Sequence, residues 1–348
     1  MKTAIIGYGG MGAYHTQSIK WIPETIKITG IYDIDPDRLN QAKEDGFFAY
    51  ASFEDVLKDE SIELVIIATP NDTHKDLSIR LLQAGKNVIC EKPVAMNSAE
   101  LEDIIKVAQE TGKVFTIHQN RRWDKDFSIV KRAVQEQIIG EAYFIESRVH
   151  GCRGVPHGWR VQKEAGGGML LDWGVHMIDQ LLGLYDCKVT EVYAHMMNAI
   201  IKEVDDNFKL LLRFENGVSA LVEVCTNTFI PLPRWHVSGT GGTLILHDWD
   251  CQGYIKREGK PEYEWEQQIV YTSAGPTKTM APRKKETIEE IPLPEADPDI
   301  YEYHRNVVAA VEHGEELLVT PQQALRVMNI IDAAFESSKT GACVKGMF

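Results

Sequence analysis

The 348-residue chain has little of what marks several protein classes. Its six cysteines stand singly, without the C-x-x-C pairs that bind zinc, and their scatter argues against a disulfide framework. Acidic residues outnumber basic ones: the chain has 51 Asp and Glu but only 37 Lys and Arg, which gives a net charge of −14. An acidic surface repels nucleic acids and anionic membranes. We therefore expect reduced cysteines and no polyanionic partner.

Long apolar runs are missing as well. No stretch approaches the roughly 20 apolar residues that span a bilayer, and no signal-peptide core follows Lys2. We find no internal repeat and no low-complexity tract. These observations predict a cytoplasmic globular protein, and the chain length predicts about two domains.

Glycine, by contrast, is concentrated at the start of the chain. The β-branched run 3–6 predicts a buried strand, and residues 7–12 follow it with the spacing G-x-G-x-x-G. In that pattern the glycines allow a tight turn, close approach of a pyrophosphate and contact between helix and strand. The phosphates would lie at the helix N-terminus, where backbone N–H groups are free. A glycine-rich turn without a ligand is the alternative interpretation.

The choice of dinucleotide depends on the end of the next apolar run. That run ends at Asp33, 21 residues after Gly12, where an acidic residue binds the adenosine ribose hydroxyls and repels a 2′-phosphate. Ile34 and Asp35 offer such a phosphate no cation, although Arg38 lies five residues after Asp33. We predict NAD as the cofactor in preference to NADP.

The first 120 residues alternate apolar runs with amphipathic stretches, which predicts an α/β fold with a doubly wound parallel sheet. The predicted strands are 3–6, 26–32, 47–49, 64–68, 87–90 and 114–118. The predicted helices are 11–20, 36–44, 52–58, 73–84 and 98–111.

From residue 121 the composition becomes rich in β-formers, which predicts an α+β domain on a mainly antiparallel sheet. The predicted strands are 141–150, 188–198, 208–214, 218–226, 234–239 and 242–247. Residues 258–299 are charged and rich in proline, which predicts a long surface loop. Residues 299–313 and 321–338 are predicted to form two C-terminal helices. We expect a dinucleotide-binding domain over 1–120 and a substrate-binding and oligomerisation domain over 121–348.

Ligands of parallel sheets bind beyond the carboxyl ends of the strands. The residues at those ends are therefore candidates for cofactor contacts, although Asp72 or Thr73 also suits an ordinary helix cap. Together with the glycine turn, the predicted cofactor site comprises Gly7, Gly9, Gly10, Met11, Gly12, Asp33, Thr69, Pro70, Asn71, His74, Glu91, Lys92 and Gln119.

A second constellation follows a run of three glycines, 166–168. If the next segment is helical, Asp172 and His176 lie four residues apart on one face. A metal bound by this pair lacks a third ligand at convincing spacing, because Asp179 is equally well explained as a polar helix residue. We expect no metal site.

Three motifs, in this order and at these separations, resemble the glucose-fructose oxidoreductase and inositol 2-dehydrogenase family, Gfo/Idh/MocA. They are the glycine turn 7–12, Glu91-Lys92-Pro93, and the run from Gly167 through Asp172 and His176 to Asp179. The likeness covers nearly the whole chain. It implies an N-terminal Rossmann domain, a C-terminal domain with a large open antiparallel sheet, and NAD(P)-linked oxidation or reduction of sugars or polyols.

The resemblance also implies catalytic roles for Lys92, Asp172 and His176, which match the family's lysine, aspartate and histidine. Chemistry supports these roles, because removing a hydride from a secondary alcohol requires a base near the hydroxyl proton, and histidine titrates near neutrality. Lys92 would stabilise the alkoxide, and Asp172 would orient substrate or Lys92. Core or surface positions explain the other pocket candidates equally well: Arg122, Trp123, Trp159 and Arg160.

Two further interpretations stay open, because a fold does not fix a reaction. Some members of the family are non-enzymatic sensors, and others use NAD in glycoside cleavage. A regulatory protein of this fold is free to lose the lysine and the histidine, whereas an enzyme is not. We predict an enzyme acting on a carbohydrate or cyclic polyol, and a homodimer or homotetramer formed through the C-terminal sheet.

Overall fold

The computed structural model describes residues 1–20, 22, 25–260, 268–279 and 283–348. Within these residues, the strands form a six-stranded sheet, a nine-stranded sheet and a separate two-stranded hairpin. None of the helices in this part of the chain combines the length and apolar character needed to cross a membrane.

The first sheet is parallel throughout, as the alternation of apolar and amphipathic stretches predicts. Its strands are β1 (Lys2–Ile6), β2 (Lys27–Tyr32), β3 (Phe48–Ala49), β4 (Leu64–Ile67), β5 (Asn87–Cys90) and β6 (Phe115–Ile117). The crossover helices are α1 (Gly10–Ile19), α2 (Pro36–Glu44), α3 (Phe53–Lys58), α4 (His74–Gln83) and α5 (Ser98–Thr111). The strand order β3-β2-β1-β4-β5-β6 reverses between β1 and β4, which is where such sheets bind ligands.

The second sheet is mainly antiparallel, with one parallel pair, β7 and β10. The strands of the second half are β7 (Ala142–His150), β8 (Val189–Met197), β9 (Asn207–Phe214), β10 (Ser219–Cys225), β11 (Trp235–Gly239), β12 (Gly242–Leu246), β13 (Gly253–Glu258), β14 (Gln268–Thr272), β15 (Gly275–Thr279), β16 (Ile288–Pro292) and β17 (Val344–Lys345). The sheet order is β16-β13-β12-β11-β7-β10-β9-β8-β17, and β14 and β15 form the hairpin.

Four helices accompany this sheet: α6 (Lys125–Gln135), α7 (Val175–Leu182), α8 (Glu302–His313) and α9 (Pro321–Thr340). A π-helical turn over Leu170–Gly174 leads directly into α7. The closing helices agree with the prediction, and α9 begins with a Thr320 capping box followed by a proline.

The structure corrects two parts of the sequence analysis. Helix α6 was not predicted, although its buried Phe127, Val130 and Ala133 show helical spacing. The prediction of a surface loop over 258–299 is wrong in part, because β16 lies in this stretch and pairs with β13 at the edge of the large sheet. Residues 261–267 and 280–282 of that stretch lie outside the described residues.

Contacts between the two sheet systems hold a cleft in place. The Thr116 hydroxyl donates to the Val319 carbonyl over 2.7 Å, and the Ser98 N–H donates to Asp332 over 2.9 Å. The Asn71 amide donates to the Gly166 carbonyl over 2.8 Å, which joins the loop after β4 to the glycine run before α7. The carboxyl ends of β4 and β5 therefore face the start of α7.

Candidate active site

The glycine turn between β1 and α1 is closely packed on one side and open on the other. Gly7 has φ of +91°, and a Cβ there would lie 2.5 Å from the Ala68 carbonyl oxygen. A Cβ at Gly12 would lie 2.0 Å from the Gly7 carbonyl oxygen, whereas a Cβ at Gly10 would contact nothing within 4 Å. The open side, at the N-terminus of α1 beside Met11, fits the phosphates of a dinucleotide.

Asp33 lies beneath this turn and is buried. Its carboxylate accepts the Tyr8 N–H over 2.6 Å and the Asp35 N–H over 2.9 Å. Arg38 folds back over the turn, with Nη1 3.6 Å from Asp33 Oδ2 and 3.1 Å from where a Cβ at Gly9 would stand. The structure thus places a half-exposed cation beside the acidic residue that the sequence predicts to bind the ribose.

The loop after β4 is built by its own polar side chains. The buried His74 ring contacts the Thr69 carbonyl over 3.0 Å and the Pro93 carbonyl over 2.9 Å, so it ties this loop to the loop after β5. The Thr69 and Thr73 hydroxyls lie 2.7 Å apart, and Thr73 also bonds the Pro70 carbonyl. Of the predicted cofactor residues here, Asn71 and His74 hold the loop itself.

Lys92 follows β5 and reaches across the cleft. Its ammonium donates to the Asp172 carboxylate over 3.0 Å and to the Asp172 backbone carbonyl over 2.9 Å. The Arg160 Nε–H donates to the other Asp172 carboxylate oxygen over 3.2 Å. The Arg160 guanidinium carbon also lies 4.5 Å from the centroid of the Trp159 ring. Burial opposes ionisation of Asp172, but the charges of Lys92 and Arg160 outweigh it and hold the pKa of this carboxyl below its usual value.

His176 lies one turn beyond Asp172, at the start of α7, and is buried. Its Nδ1 atom has no hydrogen-bond partner among the described residues. Burial, followed by the positive charges of Lys92 and Arg121, holds the pKa of its imidazole well below the ordinary value. At neutral pH the ring is therefore a neutral base, and we refer to Lys92, Asp172 and His176 as the cleft triad.

Two supports of this site went unnoticed in the sequence analysis. Arg121 lies over the Trp173 ring at 4.3 Å and over the Trp249 ring at 5.4 Å, and Trp249 reaches the cleft from the loop after β12. Asp205 accepts the Leu170 N–H over 2.7 Å, and burial raises the pKa of this carboxyl to about 7. A Cβ at Gly168 would lie 2.2 Å from Asp205 Oδ1, so the glycine run makes room for this acid. Neither Asp205 nor Trp249 lies in a local motif that points to the cleft.

Two of the predicted substrate-binding residues, Arg122 and Trp123, contact other protein groups. Arg122 makes four hydrogen bonds: two to Asp179 at 2.7 and 2.6 Å, and one each to the Leu318 carbonyl and Gln323. Trp123 donates its Nε1–H to Glu302 over 2.8 Å. These partners favour a structural role over the predicted substrate-binding role for both side chains.

The remaining cofactor candidates, Glu91 and Gln119, are both buried. The Glu91 carboxylate accepts from His15 and His118, each over 2.8 Å. The Gln119 side-chain oxygen has no hydrogen-bond partner among the described residues, and such an orphaned acceptor fits a bound group that donates a hydrogen bond.

Family models match most of the chain. Residues 1–119 match the model of an oxidoreductase family with an NAD-binding Rossmann fold, GFO_IDH_MocA, and residues 127–245 match the GFO/IDH/MocA C-terminal domain. The scyllo-inositol 2-dehydrogenase (NADP(+)) IolW of Bacillus subtilis is 29% identical and spans 97% of this chain and 94% of its own length. The myo-inositol 2-dehydrogenase of Thermotoga maritima is 27% identical over 64% of this chain and 68% of its own length.

The fold also matches solved structures. A crystal structure of an NAD-binding protein from Listeria innocua superposes with a TM-score of 0.95 at 43% identity, covering 99% of each chain. The two chains therefore share the arrangement of both sheets as well as much of their sequence.

Proposed function

Since this chain belongs to the GFO/IDH/MocA family of NAD-binding oxidoreductases, we propose that it is a dehydrogenase for a secondary hydroxyl of a cyclic polyol, sugar or glycoside. The observation that carries this proposal is the contact of Lys92 with Asp172, 3.0 Å across the cleft, beside the buried and neutral His176. A positive donor and a neutral base close together are what alcohol oxidation requires.

The two halves of the chain divide the work in this proposal. Residues 1–120 hold the dinucleotide at the glycine turn and at the ends of β2, β4, β5 and β6, and residues 121–348 supply Asp172, His176 and the substrate pocket. The bound nicotinamide supplies the acceptor or donor of the hydride. The protein residues hold and move the proton.

In the oxidative direction, His176 accepts the hydroxyl proton of the substrate. The charge of Lys92 stabilises the oxygen as that proton leaves, and it also keeps His176 unprotonated beforehand. Asp172 fixes the ammonium through two of its own oxygen atoms, one from the side chain and one from the backbone. In the reductive direction, His176 returns the proton to the same oxygen.

The substrate class rests on two supports. Relatives at 29% and 27% identity are named for scyllo-inositol and myo-inositol, which carry only secondary hydroxyls on a ring. Next to Asp172, the stacked Trp159 and Arg160 offer an apolar face for ring C–H groups and a guanidinium for hydroxyl oxygens. An inositol-like polyol satisfies both.

The test is a screen of inositols, aldoses and glycosides with NAD and with NADP at alkaline pH, read by absorbance of the reduced cofactor. We expect at least one cyclic polyol or sugar to be oxidised by the wild type and not by His176→Ala. Cleavage of a glycoside without net cofactor reduction would support the glycosidase alternative. If no compound reacts while the dinucleotide still binds, the sensor alternative replaces our proposal.

For the cofactor we propose NAD in preference to NADP. The buried Asp33 carboxylate repels a 2′-phosphate, while Arg38 offsets part of that repulsion from 3.6 Å. We expect Asp33→Ser to shift the ratio of kcat/KM values towards NADP, and Arg38→Ala to lower kcat/KM with NADP more than with NAD. Equal or higher wild-type efficiency with NADP, the cofactor named for the Bacillus subtilis relative, would contradict this proposal.

We also propose a homodimer or homotetramer assembled through the open face of the large sheet. Register places Tyr193, Leu211, Leu221 and Glu146 side by side on that face, and Tyr193 and Leu211 are more than two-fifths exposed. An apolar strip rimmed by charge is typical of subunit interfaces. Light scattering at micromolar concentration should give two or four chains, and a monomer would contradict this.

A further inference from the structure

Three histidines far apart in the sequence meet behind the cleft. His15 lies on α1, His118 follows β6 and His304 lies on α8, and all three are buried. One ring nitrogen from each lies within 4.8 Å of the others. The ring centroids are 4.6, 5.6 and 6.1 Å apart. We call these residues the histidine cluster.

Glu91 fixes the tautomers of two members. One of its oxygens lies 2.8 Å from His15 Nε2 and 2.8 Å from His118 Nδ1. A carboxylate only accepts, so both facing nitrogens donate. The opposite nitrogens, His15 Nδ1 and His118 Nε2, are then left with lone pairs.

The cluster leaves buried nitrogen atoms without partners. His15 Nδ1 and both ring nitrogens of His304 have no hydrogen-bond partner among the described residues. Each orphaned buried polar atom costs roughly 1–3 kcal/mol, and three of them in one place require an explanation. A ring nitrogen with a free lone pair is the atom through which an imidazole binds a metal ion.

We propose that His15, His118 and His304 bind a divalent transition-metal ion, with Zn²⁺ the best match. Three imidazoles at about 2.0–2.1 Å around a tetrahedral ion have ring centroids about 5 Å apart, close to the separations found here. Glu91 supplies the outer carboxylate that orients ligating histidines in such sites. The proposal uses none of the cleft triad and is independent of the proposed reaction.

A cavity beside two of the three histidines has room for a fourth ligand. A cavity of about 80 Å³ is lined by His118 and His304, together with Tyr14, Asn120 and Tyr303. Its volume exceeds the roughly 10–15 Å³ that one water molecule needs, so a water can complete the tetrahedron. The ion would join α1, the end of β6 and α8, and would fasten the two halves of the chain behind the cleft.

The test uses untagged protein stripped of metal with a chelator and titrated with Co²⁺, whose visible absorption reports tetrahedral coordination, followed by competition with Zn²⁺. We expect one ion per chain and a thermal midpoint that rises with Zn²⁺. His304→Ala should weaken binding by roughly 100-fold, at least the loss seen when an outer partner is removed. His313→Ala, an exposed histidine on the same helix, is the matched control and should bind like the wild type.

A second variant covers a failure of His304→Ala to fold. His304→Cys keeps a ligand at the position, so cobalt should still bind and should gain an intense thiolate-to-metal charge-transfer band. The proposal is overturned if the wild type shows no tetrahedral cobalt spectrum. It is equally overturned if His313→Ala loses as much affinity as His304→Ala, or if His304→Cys binds cobalt without the new band.

Discussion

The cleft triad and the histidine cluster are two buried polar sites on either side of the Glu91-Lys92 dipeptide. In the triad, ionic partners lie within hydrogen-bond distance, since Lys92 and Arg160 both contact Asp172. In the histidine cluster, a single carboxylate serves two rings, and three nitrogen atoms have no partner among the described residues. Both sites join the N-terminal half of the chain to the C-terminal half.

The difference lies in what each environment does to an imidazole. In the triad, the nearby cations Lys92 and Arg121 add to the effect of burial, and together they hold the pKa of His176 well below its usual value. In the cluster, burial is the main cause that lowers the pKa of His304, and no lysine or arginine is among the causes. A neutral histidine beside cations suits proton transfer, whereas neutral histidines grouped in a buried site suit a metal.

The largest expected effect separates the two sites by activity. Lys92→Ala and His176→Ala should each lower turnover by about a hundred- to ten-thousand-fold, the usual range for losing an acid or base. Dinucleotide binding, which rests on the glycine turn and Asp33, should survive, and so should the affinity for Zn²⁺. Steady-state rates and equilibrium titrations measure both quantities. If both variants keep wild-type turnover on a verified substrate, the proposed mechanism is contradicted.

The next effect concerns Asp205, which supports the turn that carries Asp172. Its pKa is raised to about 7 in the folded chain, so the native state holds a proton that the unfolded chain releases near pH 4. The contribution of Asp205 to the free energy of unfolding is therefore fully present below about pH 4. It falls as the pH rises to about 7, and the total fall is at most about 4 kcal/mol. Between pH 5 and pH 8, the thermal midpoint of Asp205→Asn should therefore decrease less than that of the wild type. An unchanged slope would remove Asp205 as the titrating group.

Arg122 tests whether the structural or the substrate-binding role is correct. Arg122→Ala leaves Asp179 buried without its bidentate partner, so we expect a loss of about 3 kcal/mol of stability with a KM close to wild type. Arg160→Ala should show the opposite pattern, a raised KM with a small change in thermal midpoint. A raised KM and an unchanged midpoint in Arg122→Ala would restore the substrate-binding role predicted from the sequence.

The smallest effect probes the residue next to both sites. Glu91→Gln keeps the shape of the side chain but removes the carboxylate charge, and we expect Zn²⁺ affinity to fall by roughly 10- to 100-fold. Since a neutral amide oxygen accepts hydrogen bonds more weakly than a carboxylate oxygen, the orientations of the His15 and His118 rings should loosen while all three ligands remain. The cobalt titration described above measures this change. Unaltered affinity would show that Glu91 does not orient the two rings around the ion.

Short-range patterns in the sequence were sufficient for most of the fold. The glycine turn, the six parallel strands and the first five helices follow from periodicity and turn residues, because these reflect the local backbone. The π-helical turn at Leu170–Gly174 was predicted only as helix, because the apolar spacing of this segment does not distinguish a π-helical turn from an α-helical one. The sequence also did not predict the pairing of β16 with β13, because 29 residues separate these strands and no short turn between them fixes a register.

For the sites, the sequence alone predicted the residues that lie within motifs: the glycines, Asp33, Lys92, Asp172 and His176. Only the tertiary structure decided which other residues join them. Glu91 meets His118 across 27 residues and His15 across 76, and Arg38 folds back onto Asp33 from the next helix. No local spacing encodes such contacts, because they arise when separate elements pack against one another and their side chains share one buried space.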